Sequence, residues 1–297
     1  MKHLLKIAGM AFLSGNILTA VWAQNVVITQ GGGYVEQEVA MQKPCVPNDQ
    51  SAFINAQVDR NVARFRESNQ IIAQARTDNA RFGQALEENS IHDNLYGLYS
   101  ITYFVDHNLG INQLSDFTCG NRTYDALQSG TVYNHKGTDF VLWPFGWNRM
   151  EANDVKVTAV LGGVIQGKGD GNPDHNCSLN TSGALPNYVV VQHDDGTFAY
   201  YYHLKRNSLT AKQVGQRVEK GEFIGFVGSS GASSSPHLHL EIQDSQHNLI
   251  DPYYGSCNNV QSMWESQETY IHPMVNLIST HSAPVLFSSC PSPDVTN

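Results

Sequence analysis

Three groups of side chains in this sequence have the types and spacing for metal chemistry. In residues 233–241, read as SSSPHLHLE, His237 and His239 are interleaved with Leu238 and Leu240. A strand sends successive side chains to opposite faces, so both imidazoles share one face while the leucines point into a core. Two histidines aimed into one space from a rigid strand are a common beginning for a metal site. Upstream, HKGTDF carries His135 and Asp139. On a flat strand these would stand about 13 Å apart, too far to share one ion. The chain must therefore bend between them, and Gly137 is where a bend costs least. The run Gly137, Thr138, Phe140, Val141 argues against a helix there. His203, in the strand-like AYYYHL, is the third group.

The remaining histidines fit less well. His193, in VQHDDG, opens a hairpin and reads as structural. His175 lies in a loop insertion, and His92, His107, His247, His272 and His281 have no partner at ligand spacing. No HExxH occurs, so the glutamate base of thermolysin-like enzymes is absent.

The order HxxxD, then YxHL, then HxH is far more specific than any part of it. With its surroundings, the sequence resembles the lysostaphin-type, or LytM-like, zinc endopeptidases, which cut the peptide part of bacterial cell walls. The resemblance runs through about residues 130–254. It includes VLGGVI, YVVVQHDDG, GQRVEKGEFIGFVGSSG, PHLHLEI and the following IDP. It implies Zn²⁺ held by His135, Asp139 and His239, with water in the fourth position. The other two motif histidines map to His203 and His237. Two neutral imidazoles and one carboxylate leave such a site with net positive charge, and water bound there can fall to a pKa of about 7. A general base and an oxyanion stabiliser are still needed. His203 and His237 are placed for those two jobs, and which of them takes the proton stays open.

The fold this implies is mainly antiparallel β, with the site in a groove along one sheet; the residue pattern ahead of it adds an α-helical segment. The implied function is a zinc endopeptidase acting on peptidoglycan cross-bridges or stem peptides, secreted or periplasmic, and monomeric. Two alternatives are a ligand-free regulatory or binding scaffold of the same fold and a secreted protease acting on Gly-rich proteins.

Composition agrees with export. The 297 residues carry a net charge of −9, which gives no grip on nucleic acid or anionic lipid. Residues 1–23 read as a signal peptide: Lys2 and Lys6, an apolar run, then Val21-Trp22-Ala23 at the cleavage site. No second apolar stretch of that length follows, so no stable membrane anchor is expected. Residues 24–115 read as a lead-in and helical segment, 116–255 as the zinc endopeptidase domain and 256–297 as a polar tail. Within 49–90, Ile54, Val58, Val62 and Phe65 recur at helical spacing, and Ile72, Phe82 and Leu86 continue the pattern more loosely. This predicts one amphipathic helix or two. Such a helix either stabilises the domain, the reading preferred here, or covers the groove until removed. From Gly130 onward short apolar runs at 155–160, 188–192, 198–204 and 223–227 alternate with Gly-rich turns and predict strands. The polar insertion at 167–186 is too long for a hairpin and is a candidate cleft wall or lid.

Five cysteines (Cys45, Cys119, Cys177, Cys257, Cys290) include no CxxC. In an oxidising compartment this predicts two disulfides and one leftover thiol. Cys257 with Cys290 would tie down the tail, and Cys45 with Cys119 would tie the front segment to the domain. Thiol titration under denaturing, non-reducing conditions is expected to find about one thiol per chain, and five would mean a reducing compartment.

Overall fold

A computed structural model describes residues 44–67, 80–89, 97–128, 130–143, 145–179 and 183–271. The expected signal peptide and most of the lead-in lie outside them, as does the tail beyond 271. The helical stripe forms α1 (Asn48–Glu67), which buries Ile54, Val58, Val62 and Phe65. Ile72 lies outside the described residues, and the expected helical pattern does not hold at Phe82 and Leu86. Leu86 lies instead in a short strand, β1 (Leu86–Glu88), and Phe82 makes a parallel bridge to Trp264. Both side chains enter the main core, where tertiary packing overrides a loosely helical spacing.

The succeeding elements are β2 (Tyr99–Tyr103), β3 (Asp125–Gln128), β4 (Thr131–Asn134), β5 (Thr138–Leu142), α2 (Gly146–Ala152), β6 (Val155–Thr158) and β7 (Gly163–Gly169). Then come β8 (Tyr188–His193), β9 (Phe198–Tyr202), β10 (Arg217–Val218), β11 (Phe223–Phe226), β12 (His237–Gln243) and β13 (Leu249–Ile250). An antiparallel sheet runs β10-β7-β8-β9-β12-β5-β2, with β13 also paired to β12. A smaller sheet runs β1-β6-β11, and β3 and β4 form a hairpin. The architecture is mainly antiparallel β with an N-terminal helix, as the sequence leads one to expect.

Register gives the large sheet two distinct faces. Leu240 pairs with Tyr201 across β12 and β9, and Leu238 with Phe140 across β12 and β5. With Val189, Val191 and Ile242 they point into the main core, which the small sheet closes through Val155, Val157 and Ile224. On the other face His239 lies between Asp139 and Tyr202, and Glu241 beside Tyr200. There α1 supplies Ile54, Val58 and Val62 to a second cluster with Tyr188, Val190, Phe198, Tyr200 and Tyr202. Burial of each aliphatic side chain stabilises by about 1.5–3 kcal/mol.

The cysteine pairing differs from both expected pairings. Cys119 is bonded to Cys257, with Cα atoms 5.1 Å apart. Cys45 is free and buried. Cys177 is disulfide-bonded as well. The expected pairings tie the tail and the front segment down, whereas the bridge follows the packing of Phe117 on Tyr253, with ring centroids 5.0 Å apart.

His193 is structural, as read. Its Nδ1–H donates to Thr197 Oγ1 at 2.9 Å, because that hydroxyl gives its own proton to Asp195. Its ring meets Phe82 edge-on. Burial pushes its pKa down from 6.5 to about 4, against the pull of Asp195 and Asp194. Below its ordinary value the unfolded chain takes up a proton that the folded chain refuses. The contribution is therefore intact above about pH 6.5 and is lost as pH falls toward 4. Urea unfolding should show this group removing about 2 kcal/mol between about pH 7 and pH 5, and His193→Gln should flatten that part of the profile.

Candidate metal centre

The centre is built on the cross-strand pair His239 and Asp139, of β12 and β5. Antiparallel neighbours project to the same side, and His239 Nδ1 stands 2.8 Å from Asp139 Oδ1. His135 follows β4, in the bend before β5. Its Nδ1–H donates to the carbonyl of Phe104 at 2.7 Å, which leaves a lone pair on Nε2. That atom lies 3.2 Å from Asp139 Oδ2 and 3.2 Å from His239 Nδ1. The bend thus removes the separation that a flat strand would impose. Gly137 serves it through space rather than through dihedral freedom. A Cβ there would lie 2.6 Å from the Leu240 carbonyl oxygen and 2.7 Å from His239 Nε2.

His135, Asp139 and His239 are all buried. Burial alone would lower the His135 pKa, but the Asp139 carboxylate and the Cys45 thiol raise it to about 9. His239 also rises against burial, through Cys45 and Asp139. Asp139 falls well below its usual range, despite burial, because three imidazoles face it. Raised in this way, the His135 ring carries a proton beside the buried carboxylate at neutral pH, and a bound cation would take the place of that proton. The spacings accommodate a metal ion: tetrahedral bonds of 2.0–2.3 Å put ligand atoms roughly 3.3–3.7 Å apart. The observed separations of 2.8–3.2 Å are slightly tighter.

A fourth donor completes the cluster. Cys45 Sγ lies 3.6 Å from His239 Nδ1, and the donor atoms of Cys45, His135, Asp139 and His239 all fall within 4.8 Å of one another. Sequence spacing could not find it, because Cys45 lies 90 residues before His135 (135 − 45). Its only signal was the odd cysteine count.

His203 and His237 stand beside this cluster in matching orientations. His203 Nδ1–H donates to the Ser230 carbonyl at 2.6 Å, and His237 Nδ1–H to the Ser235 carbonyl at 2.8 Å. Each therefore presents a lone pair on Nε2. Their rings are 4.6 Å apart, and the His203 ring lies 6.0 Å from that of His239. His237 Nε2 is 3.9 Å from Asp139 Oδ1, and His203 Nε2 has no hydrogen-bond partner among the described residues. Burial and His203 push the His237 pKa down to about 4, although Asp139 opposes them, so its ring is neutral at pH 7.

His203 lies one residue past β9, with φ of 63°. That left-handed backbone is uncommon outside glycine and carries strain that the surroundings must hold. Asn187 and Ser230 hold it: Asn187 Nδ2 donates to the Leu204 carbonyl at 3.1 Å, and Ser230 Oγ donates to the same oxygen at 2.8 Å. Ser230 Oγ also accepts from the Asn187 N–H at 2.9 Å. The expected strand over 198–204 ends early for this reason. Described residues of the insertion bond to the loop before His237: Ser229 Oγ donates to the Asn176 carbonyl at 2.7 Å and Ser178 bridges to Ser233. Glu241, another residue that spacing did not single out, is buried with Oε2 3.8 Å from His239 Nε2. A carboxylate behind a ligating histidine fixes its ring and raises its basicity.

Comparison with known proteins agrees with this geometry. Residues 133–252 match the model of Peptidase family M23. Over 114 residues the chain is 30% identical to the peptidoglycan DD-endopeptidase ShyC of Vibrio cholerae, covering 38% of this chain and 21% of that one. Over 61 residues it is 43% identical to the DD-carboxypeptidase/endopeptidase Mpg of Neisseria meningitidis, covering 20% and 13%. The chain thus spans only 21% and 13% of the length of these two relatives. Among solved structures, the catalytic domain of lysostaphin from Staphylococcus simulans aligns at 22% identity and a TM-score of 0.32, over 52% of this chain and 89% of that one. The matched span holds His135, Asp139, His203, His237 and His239 together, and it is over these residues that the chain is similar to Peptidase family M23.

Proposed function

We propose that this chain is an exported zinc endopeptidase that hydrolyses peptide bonds in the cross-bridges or stem peptides of bacterial peptidoglycan. The observation that carries the reading is the convergence of His135 Nε2, Asp139 and His239 Nδ1, with two further imidazoles presenting Nε2 beside them. His135, Asp139 and His239 would hold the ion. Zinc there supplies Lewis acidity, polarising a peptide carbonyl and making water acidic enough to ionise near neutral pH.

The chain's own residues do the rest. Nε2 of His203 or His237 accepts the proton of the attacking water, and that ring, now carrying Nε2–H, donates to the oxyanion and passes the proton to the leaving amine, with the neighbouring ring beside it. Their Nδ1–H bonds to Ser230 and Ser235 carbonyls hold each ring in the tautomer that leaves Nε2 free. The relatives named for peptidoglycan endopeptidase activity support the substrate class. The Cys119–Cys257 bridge supports an oxidising compartment, and no helix among the described residues is long and apolar enough to cross a membrane.

Elemental analysis should find one zinc per chain, lost in His135→Ala, Asp139→Ala and His239→Ala. His203→Ala and His237→Ala should keep the zinc and lose about 10²–10⁴-fold in turnover relative to their parent. Turnover is read as new peptide termini, identified by mass spectrometry after digestion of purified peptidoglycan. Zinc loss in the His203 variant would move that residue among the ligands. A metal-free protein with full activity would falsify the mechanism.

A further inference from the structure

The metal centre contains a donor that the proposed hydrolysis does not use. Cys45 is 2% exposed and lies among His135, Asp139 and His239. Its Sγ is 2.6 Å from Tyr124 Oη, whose ring packs on that of His135 at 4.5 Å. A thiolate is a good zinc ligand, and structural zinc sites combine cysteine and histidine in four-coordinate sets. Three protein ligands leave room for water, whereas four close the site. The unpartnered, fully buried Nε2 of His203 faces this same space, where a reacting water would need it.

We propose that Cys45 is an internal fourth ligand that closes the centre, and that α1 holds the chain latent by covering the same face of the sheet. The proposal rests on the metalloendopeptidase reading above. On coordination Cys45 gives its thiol proton to solvent, and its thiolate takes the position that water needs. No oxidant or reductant is involved.

Cys45 is placed by the chain on both sides of it. Pro44 is buried, and Pro47 opens the path into α1 by accepting the Ser51 N–H at 2.9 Å. The pyrrolidine rings fix φ at both positions and shorten the search for this geometry. Val46 enters the cluster that α1 makes with Tyr188, Tyr200 and Tyr202, so the residue after the thiol is anchored too. Along α1, Gln57 Oε1 accepts from Tyr188 Oη at 2.9 Å and Asn61 Nδ2 donates to the Gln166 carbonyl at 2.8 Å. Phe65 lies where a Cβ on Gly215 would sit, at 2.5 Å, and that glycine has φ of 93°. The helix therefore runs over the face of the sheet from which His239 projects. Its apolar cluster is separate from the main core, so it can leave without opening that core.

Cobalt substitution of the full chain tests this independently of turnover. The wild-type protein with one Co²⁺ should show near-ultraviolet thiolate-to-cobalt charge transfer, and Cys45→Ser should keep one Co²⁺ without that absorption. On purified peptidoglycan the zinc form of Cys45→Ser should be about tenfold or more faster than wild type, as expected if about 90% of wild type is closed. Val58→Asp, which puts a charge under α1 and leaves Cys45 in place, should weaken the absorption and raise the rate while near-ultraviolet circular dichroism is retained. Cobalt bound without charge transfer, or equal rates for wild type and Cys45→Ser, would overturn the proposal. No cobalt binding in wild type would overturn the metal reading along with it. A Cys45→Ser protein that holds metal and cuts no peptidoglycan would overturn the hydrolase reading, while charge transfer in wild type would still support ligation by Cys45.

Discussion

The buried carboxylate of Asp139 is the constraint on which the rest depends. It is 4% exposed and sits in an interior where an unpaired charge is expensive. Three imidazoles face it, two of them at 2.8 and 3.2 Å. Around it stand the side-chain space kept free at Gly137 and the hydrogen bonds that His135 and His237 donate to the Phe104 and Ser235 carbonyls. Each of these fixes a ring nitrogen relative to one anion. Without them the cost of burying the carboxylate would have no compensation.

The sheet separates this polar work from stability. Leu238, Leu240 and Ile242 alternate with His237, His239 and Glu241 along β12, so one strand serves the core and the centre at once. The register with β5 and β9 then sets which residues meet. A slip of one residue would turn the histidines into the main core and the leucines toward the ion.

Much of this was legible in the sequence, and the reasons differ by residue. The alternation of PHLHLE revealed the shared face of His237 and His239, because a period of two is a local property. The spacing of His135 and Asp139 demanded a bend, and the structure supplies one. The purpose of Gly137 was misread, because nothing local reveals that a ring from β12 fills the space beside it. His203 was found as a residue but not as a turn, since AYYYHL continues a strand pattern that Asn187 and Ser230 interrupt from elsewhere. Phe82 and Leu86 kept a helical rhythm by coincidence. Cys45 and Glu241 were not singled out, the first because its partners are distant in sequence and the second because a buried glutamate looks like any other. The pairing of Cys119 with Cys257 was likewise a matter of packing between distant segments.

The two separate apolar clusters have a thermodynamic consequence. A protein with one continuous core opens all at once, whereas one whose clusters share no side chain can open piecewise. The amides of α1 then belong to a unit of lower opening free energy than those of β8, β9 and β12. Solvent reaches the aromatic floor of Tyr188, Tyr200 and Tyr202 each time that unit opens, while the strand order beneath stays as it was.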